Sequence, residues 1–291
     1  MNIGVINGYD VFSYKNGIFK PENYSLGEGL EYPVVMLKRE LEDLGHVFCT
    51  LDMLLEDSFD VVIVFDFPGH RRNDIERLRK KNIKTILVTF EPDNINPYNW
   101  ERQTHDLFDI VLTWDTRYVD DCKIYKSFAP IRIDGINNIN IGKRKNKLVQ
   151  IASRKIGYCK NDLYRERIRL IEWFDKKKPD LLDLFGYGWE EGVPRYRFIS
   201  LINNGYTFLV YRKLEKNRLM KKVLNRSVGI YRGTTPNKIA TLAQYDFSVC
   251  LENAHSLPGA ISEKIFDSFK AGTIPIYYGA SDIDKYVPEN I

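Results

Sequence analysis

Two short runs, Asp60-Val61-Val62-Ile63-Val64-Phe65 and Thr85-Ile86-Leu87-Val88-Thr89-Phe90, constrain this chain more than any other feature. They are strand-length and almost unbroken in apolar residues. Such runs suit central parallel strands covered on both faces, not half-solvated strands that alternate. Further strands are expected at 2–6, 46–51 and 109–113, with 60–65 and 84–90 between them. Helical spacing is expected over 29–44, 71–81, 99–106 and 115–124. In the first helix Val34, Val35, Leu37, Leu41 and Leu44 fall near one face. Strand-helix alternation of this kind implies an open parallel sheet.

The stretch 134–147 has no period, is rich in Asn and Gly, then turns basic, and it reads as a linker. A second alternation follows. Strands are expected at 148–152, 181–185, 246–251 and 273–278, and helices at 161–176, 208–224, 236–244 and 261–271. With 291 residues there is length for two domains. The expectation is an α/β chain of two Rossmann-like domains, 1–142 and 143–291, whose parallel sheets face a cleft. The chain stops at Pro288-Glu289-Asn290-Ile291, soon after a strand and with no closing helix, so a truncated C-terminus is expected.

Composition removes several function classes. Hydrophobic residues make up 44% and charged residues 28%, as in soluble globular proteins. No run approaches the ~18 apolar residues a membrane span needs. The N-terminus has no basic region before its first strand, so no signal peptide is expected and the location reads as cytoplasmic. Cys49, Cys122, Cys159 and Cys250 are scattered, without CxxC or Cys/His clustering, which suits reduced thiols and no metal site. His46, His70, His105 and His255 show no ligand spacing. A net charge of +4 suits an anionic small substrate or a membrane surface. The segment 212–226 concentrates Arg212, Lys213, Lys216, Arg218, Lys221, Lys222 and Arg226 against one acid, Glu215. A solvated helix face is the default for such a run. The alternative is peripheral contact with an anionic membrane surface. No stacking motif accompanies the run, so nucleic acid is not an expected partner.

Chemistry-bearing residues gather near the end. Tyr245, Phe247, Glu252 and Asn253 run along and off a strand, Ser262-Glu263-Lys264 opens a helix, and Pro275 and Gly279 mark the next strand. Polar groups at a strand's carboxyl end and a helix N-terminus are where α/β folds bind nucleotides. Upstream stand Tyr231-Arg232-Gly233 and Lys238, then Leu163-Tyr164-Arg165-Glu166-Arg167 and Leu184-Phe185-Gly186-Tyr187-Gly188-Trp189. In the N-terminal half lies Phe90-Glu91-Pro92-Asp93-Asn94.

This set resembles the α-1,3/1,4-fucosyltransferases, glycosyltransferase family 10. The resemblance is carried most by 230–291, less by 150–190 and least by 1–130. It implies a GT-B fold, GDP-fucose as donor substrate, inversion at the anomeric carbon, no cofactor and no obligatory metal. One departure is Ala260, where members with this spacing commonly carry Tyr. The pair Asp282 and Asp284 spells the Asp-x-Asp of metal-dependent enzymes, but in a loop after the last strand, where chance is the better account.

The resemblance makes Glu91 the general base, at the carboxyl end of strand 84–90 where Pro92 cuts the strand. A solvated loop Glu is the bland reading, and Asp93 is the rival. Lys264 and Arg167 become clamps for the diphosphate, Arg as a planar fork and Lys as a point charge. A cation in a first helical turn opposes the dipole, which favours function for Lys264 over an exposed cation. Arg167 shares its helix with Arg165 and Arg169, so an exposed basic face competes, and Arg165 is the alternative ligand. Glu263 would accept from ribose hydroxyls or serve the dipole. Asn253 would bond sugar or phosphate, and Glu252 would do the same or stabilise its turn. Tyr231 would stack on guanine or meet phosphate, or act as an aromatic plug. Lys238 completes the donor set.

The expected activity is therefore transfer of fucose from GDP-fucose to a hydroxyl of a GlcNAc- or Glc-containing saccharide, α-1,3 type. The acceptor would be an oligosaccharide or lipid-linked glycan of a bacterial surface polymer such as lipopolysaccharide. A transferase for another GDP-sugar and a silent nucleotide-sugar or glycan-binding module are the alternatives.

Overall fold

The structure is a computed structural model that describes residues 1–20, 23, 31–128 and 143–288. The chain divides into two compact units, Met1–Arg132 and Ile133–Ile291.

The first unit contains β1 (Asn2–Asn7), α1 (Tyr32–Asp43), β2 (Val47–Thr50), β3 (Val61–Phe65), α2 (Arg72–Lys80), β4 (Lys84–Thr89), α3 (Arg102–His105), β5 (Ile110–Thr113) and β6 (Ile124–Lys126). Its sheet is parallel throughout, in the order β2-β1-β3-β4-β5-β6. Alternation along β3 explains the unbroken apolar run. Val62 and Val64 join Ile75 and Leu78 of α2 in one core. Ile63 and Phe65 turn to the other face, where Val34 and Leu41 of α1 pack with Val5 and Phe48.

Several expectations are corrected. Leu37 and Leu44 are exposed although they were expected on the apolar face of the first helix. Leu44 lies past the end of α1, just before Gly45 turns the chain with φ of 79°. No helix forms over 115–124. Asp120 Oδ1 instead accepts the backbone N–H groups of Cys122, Lys123 and Ile124 at 2.9, 2.8 and 2.8 Å. A short side chain that captures nearby amides competes with the helix, and the chain enters β6. The helix expected over 99–106 is split into a 3-10 turn, Pro97–Trp100, and α3.

The second unit contains β7 (Lys145–Ile151), α4 (Tyr164–Lys177), β8 (Leu182–Phe185), β9 (Val193–Pro194), α5 (Tyr196–Ile199), α6 (Gly205–Lys216), α7 (Arg218–Leu224), β10 (Asn225–Arg226), α8 (Lys238–Leu242), β11 (Tyr245–Leu251), α9 (Glu263–Lys270) and β12 (Ile274–Tyr278). Its main sheet is again parallel, ordered β12-β11-β7-β8. Leu148 and Val249 face Ile168 and Ile171 of α4. Val149 faces Leu242 and Ala271 on the other side. Each unit thus has the Rossmann-like layering expected of it. The basic end of the expected linker is structural, since Lys145 to Lys147 open β7, while 134–142 lie outside the described residues. The helix expected over 208–224 is two helices. Asn217, extended at φ −77° and ψ 126°, separates them and caps α7 by accepting from Leu219 and Met220.

In both units the strand order reverses beside the first strand. The reversal falls between β1 and β3 in one unit and between β7 and β11 in the other. Loops at the carboxyl ends of strands flanking such a switch point form the usual ligand crevice of open α/β sheets.

Candidate functional site

In the first unit, three loops leave the sheet next to its switch point. Glu91 follows β4, Asp66 follows β3 and Tyr9 follows β1. Asp66 adopts a left-handed φ of 56° and is buried. Its Oδ1 accepts the backbone N–H of Phe90 at 2.8 Å, that of Glu91 at 2.9 Å and the Asn99 amide at 2.6 Å. Burial raises the Asp66 pKa, and the three donors only partly oppose it. The Glu91 carbonyl is held from the other side by the Trp100 indole at 3.1 Å and the Asn99 amide at 3.3 Å. The Trp114 indole holds the Phe90 carbonyl at 3.0 Å. The Tyr9 hydroxyl hydrogen-bonds the Glu91 carboxylate, and burial, with Glu91 and Asp66, pushes its pKa up to about 12. Gly8 lets the chain pass this spot, since a Cβ there would lie 2.9 Å from the Asp66 carbonyl oxygen. Glu91 is thus mounted on a backbone fixed from both sides, not on a loose loop.

In the second unit, Glu252 leaves β11 and turns toward the start of α9. Its carboxylate accepts the Ser262 backbone N–H at 2.9 Å, the Ser262 hydroxyl at 2.6 Å and the Lys264 ammonium at 3.1 Å. Lys264 also donates to Ser262 Oγ at 2.9 Å. Burial works against the Lys264 charge, but Glu252 and Glu263 outweigh it and raise its pKa. Gly279 makes room for this arrangement, since a Cβ there would stand 2.3 Å from Glu252 Cγ.

Lys238, the first residue of α8, donates to Asp267 at 2.8 Å and Glu263 at 3.4 Å. Burial disfavours the Glu263 charge, yet Lys264 and Lys238 prevail and hold its pKa down at about 2. Arg167 is buried in α4 with Nη2 on the Leu251 carbonyl at 3.2 Å, and its Nε has no partner. Burial lowers its pKa, against the pull of Tyr164, Glu252 and Asp162. Of the two arginines left open by sequence, Arg165 is tied to the carbonyls of Ile202 and Cys159. Arg167 is the one whose charge reaches Glu252 and Lys264.

Lys238, Glu252, Glu263, Lys264 and Arg167 therefore form one charge cluster at the carboxyl end of β11. Asn253 follows directly, its carbonyl accepting from the Leu163 N–H at 3.0 Å. Tyr231 stands apart at the end of β8, bridged to Leu184 and donating to the Gly186 carbonyl at 2.9 Å. Sequence reasoning passed over Asp66, Asn99, Tyr9, Asp267 and Tyr277, which hydrogen-bonds Glu252. Only Asp66 left a local sign, a lone acid between Phe65 and Phe67. Among the described residues no group of His, Cys, Asp and Glu could hold a metal ion. Asp282 is turned to the Gly259 N–H at 2.6 Å, and Asp284 is exposed. No helix among the described residues is long and apolar enough to cross a membrane.

No protein-family model matches the chain. Over 49 residues it is 43% identical to Alpha-(1,3)-fucosyltransferase FucT of Helicobacter pylori, covering 17% of this chain and 10% of that protein. It is also 43% identical over 49 residues to GDP-fucose protein O-fucosyltransferase 3 of Danio rerio, with the same coverage of 17% and 10%. Among solved structures it is similar to OtsA in its apo form, at TM-score 0.41 and 10% identity, covering 90% of this chain and 67% of that one. The chain spans about a tenth (10%) of the length of the curated relatives it matches.

Proposed function

We propose that the chain is a glycosyltransferase of the GT-B type that moves fucose from GDP-fucose to a saccharide hydroxyl with inversion. The observation that carries this reading is the Lys264–Glu252–Ser262 constellation where β11 meets α9, beside the switch point of the second sheet. The short stretch of 43% identity to two fucosyltransferases supports the donor sugar.

An ammonium has three N–H donors, and Lys264 gives two of them to Glu252 and Ser262. The third is offered to a diphosphate oxygen. Arg167 adds positive charge from below, and Glu263 and Lys238 fix the orientation of the α9 start. Asn253 would contact the sugar or a phosphate. In the transfer step the acceptor oxygen bonds to the anomeric carbon as the bond from that carbon to the diphosphate breaks. The acceptor proton passes to Glu91, and GDP leaves with the electron pair. A GlcNAc- or Glc-containing acceptor and α-1,3 linkage belong to this proposal, as does the surface glycan as product.

The test is GDP release from GDP-fucose with and without N-acetyllactosamine, in wild type, Glu91→Ala and Lys264→Ala. Acceptor-dependent release should fall by about 10²-fold or more in Glu91→Ala, the usual scale for a positioned base. Release that survives this substitution would move the base elsewhere. Ala260 favours one second reading, another GDP-sugar as donor, and turnover with that sugar but not GDP-fucose would select it.

A further inference from the structure

The second unit carries a face that the charge cluster does not use. α6 buries Tyr211 and Glu215 and turns Tyr206, Leu209 and Lys213 outward, with Tyr206 76% and Leu209 66% exposed. α7 buries Leu224 and leaves Leu219 75% exposed beside Lys222 and Val223. Spacings of three, four and seven residues in the first trio, and of three and four from Leu219 in the second, put each trio on one helix face. A surface helix ordinarily hides its aliphatic side chains and shows its charges. Here large apolar tips and cations share the solvent side.

Among the described residues, four of the cations on these two helices are also unneutralised. Arg212 pairs with Glu215 and Lys221 with Glu191. Among the described residues no ion pair joins Lys213, Lys216, Arg218 or Lys222 to an acid. The face is held firmly. Glu215 forms a buried ion pair with Arg154, which also donates to the Gly192 carbonyl at 2.9 Å and to Asn225 Oδ1 at 3.1 Å. A capping box between Asn204 and Thr207 fixes the start of α6.

We propose that the α6–α7 face seats on an anionic bilayer surface. Exposed aliphatic and aromatic tips enter the headgroup layer, and free lysines meet lipid phosphates and anionic headgroups. A second copy of the chain fits this face less well, because a twofold pairing would set like cations against each other. Single-stranded nucleic acid would ask for stacking rings, and the apolar tips here are mainly Leu and Val.

The experiment is flotation of the full chain with vesicles of phosphatidylcholine alone or mixed with phosphatidylglycerol. Binding should be at least about ten-fold stronger to the anionic vesicles and should weaken with salt. The double variants Leu209→Glu/Leu219→Glu and Lys213→Glu/Lys222→Glu should each lower partition by about ten-fold or more. Lys213→Arg/Lys222→Arg should retain it. All these side chains are exposed, so circular dichroism and Tm should be unchanged, and any variant that fails to fold is replaced by its single substitutions. Absence of anionic-vesicle binding, or equal binding by every variant, overturns the proposal. So does a wild-type dimer that Leu209→Glu/Leu219→Glu dissolves, which would assign the face to a second copy. The assay reads lipid binding and not transfer, so it succeeds or fails independently of the roles given to Glu91 and Lys264.

Discussion

Asp66 Oδ1 accepts the backbone N–H of Glu91 at 2.9 Å, so the residue after one strand sets the position of a residue two past the end of its neighbour. The same oxygen takes two further donors, and the group is buried with a raised pKa. A raised carboxyl pKa means the fold favours the protonated form. Its contribution is complete below the unfolded-state value and is lost as pH rises through the folded value. Asp66→Asn keeps an acceptor oxygen and removes the titration. It should equal or exceed wild type in urea stability at neutral pH. Asp66→Ala leaves three inward donors unpaired and should lose about 3 kcal/mol or more. An Asn variant as unstable as the Ala variant would show that the carboxylate charge itself is required.

Gly279→Ala should destabilise the second unit by about 1–3 kcal/mol, because the new methyl must displace Glu252. The contact would be 2.3 Å to Glu252 Cγ and 2.7 Å to the Tyr277 hydroxyl. Thermal unfolding reads the loss. An unchanged Tm would mean that the loop relaxes and that Glu252 is not pinned.

The Glu263 carboxyl is held down at about 2 by Lys264 and Lys238, against burial. A depressed carboxylate pKa gives stability that is present above the unfolded value and lost as pH falls through the folded one. Wild type should therefore lose stability between pH ~4.3 and about 2 more steeply than Glu263→Gln. The difference should be modest, since the side chain is 39% exposed and solvent screens it. Parallel acid-unfolding curves would refute the pairing.

Arg154 and Glu215 are 6% and 8% exposed, and removing one partner strands the other charge. Arg154→Ala should cost about 3–5 kcal/mol, while Arg154→Met/Glu215→Leu should recover most of it. Equilibrium denaturation of the two variants and wild type decides the matter.

What could be read from sequence followed from local physics. The runs at 60–65 and 84–90 announced doubly covered parallel strands, and β3 and β4 are those strands. The phase of the later segments placed Glu252, Glu263 and Lys264 at strand and helix ends. What sequence did not reveal depends on pairing across the fold. Lys238 finds Asp267, 29 residues away, only because α8 and α9 lie side by side. Arg165 and Arg167 are equivalent in composition and are separated only by which side of α4 is buried. The lost helix at 115–124 has another cause, since side-chain capture of amides by Asp120 leaves no trace in hydrophobic period.

The break at Asn217 sets the angular phase of everything after it. At about 100° per residue, an unbroken helix through α6 and α7 would carry Lys222 to within ~20° of the buried Tyr211. It would also swing Leu224 roughly 140° away, out into water. One extended residue resets the count, so Leu224 turns in and Leu219 turns out. The break thus works as an angular coupling. Residues before and after it can each keep the period their own contacts demand, and a helix-favouring replacement at this one position would set the two periods in conflict.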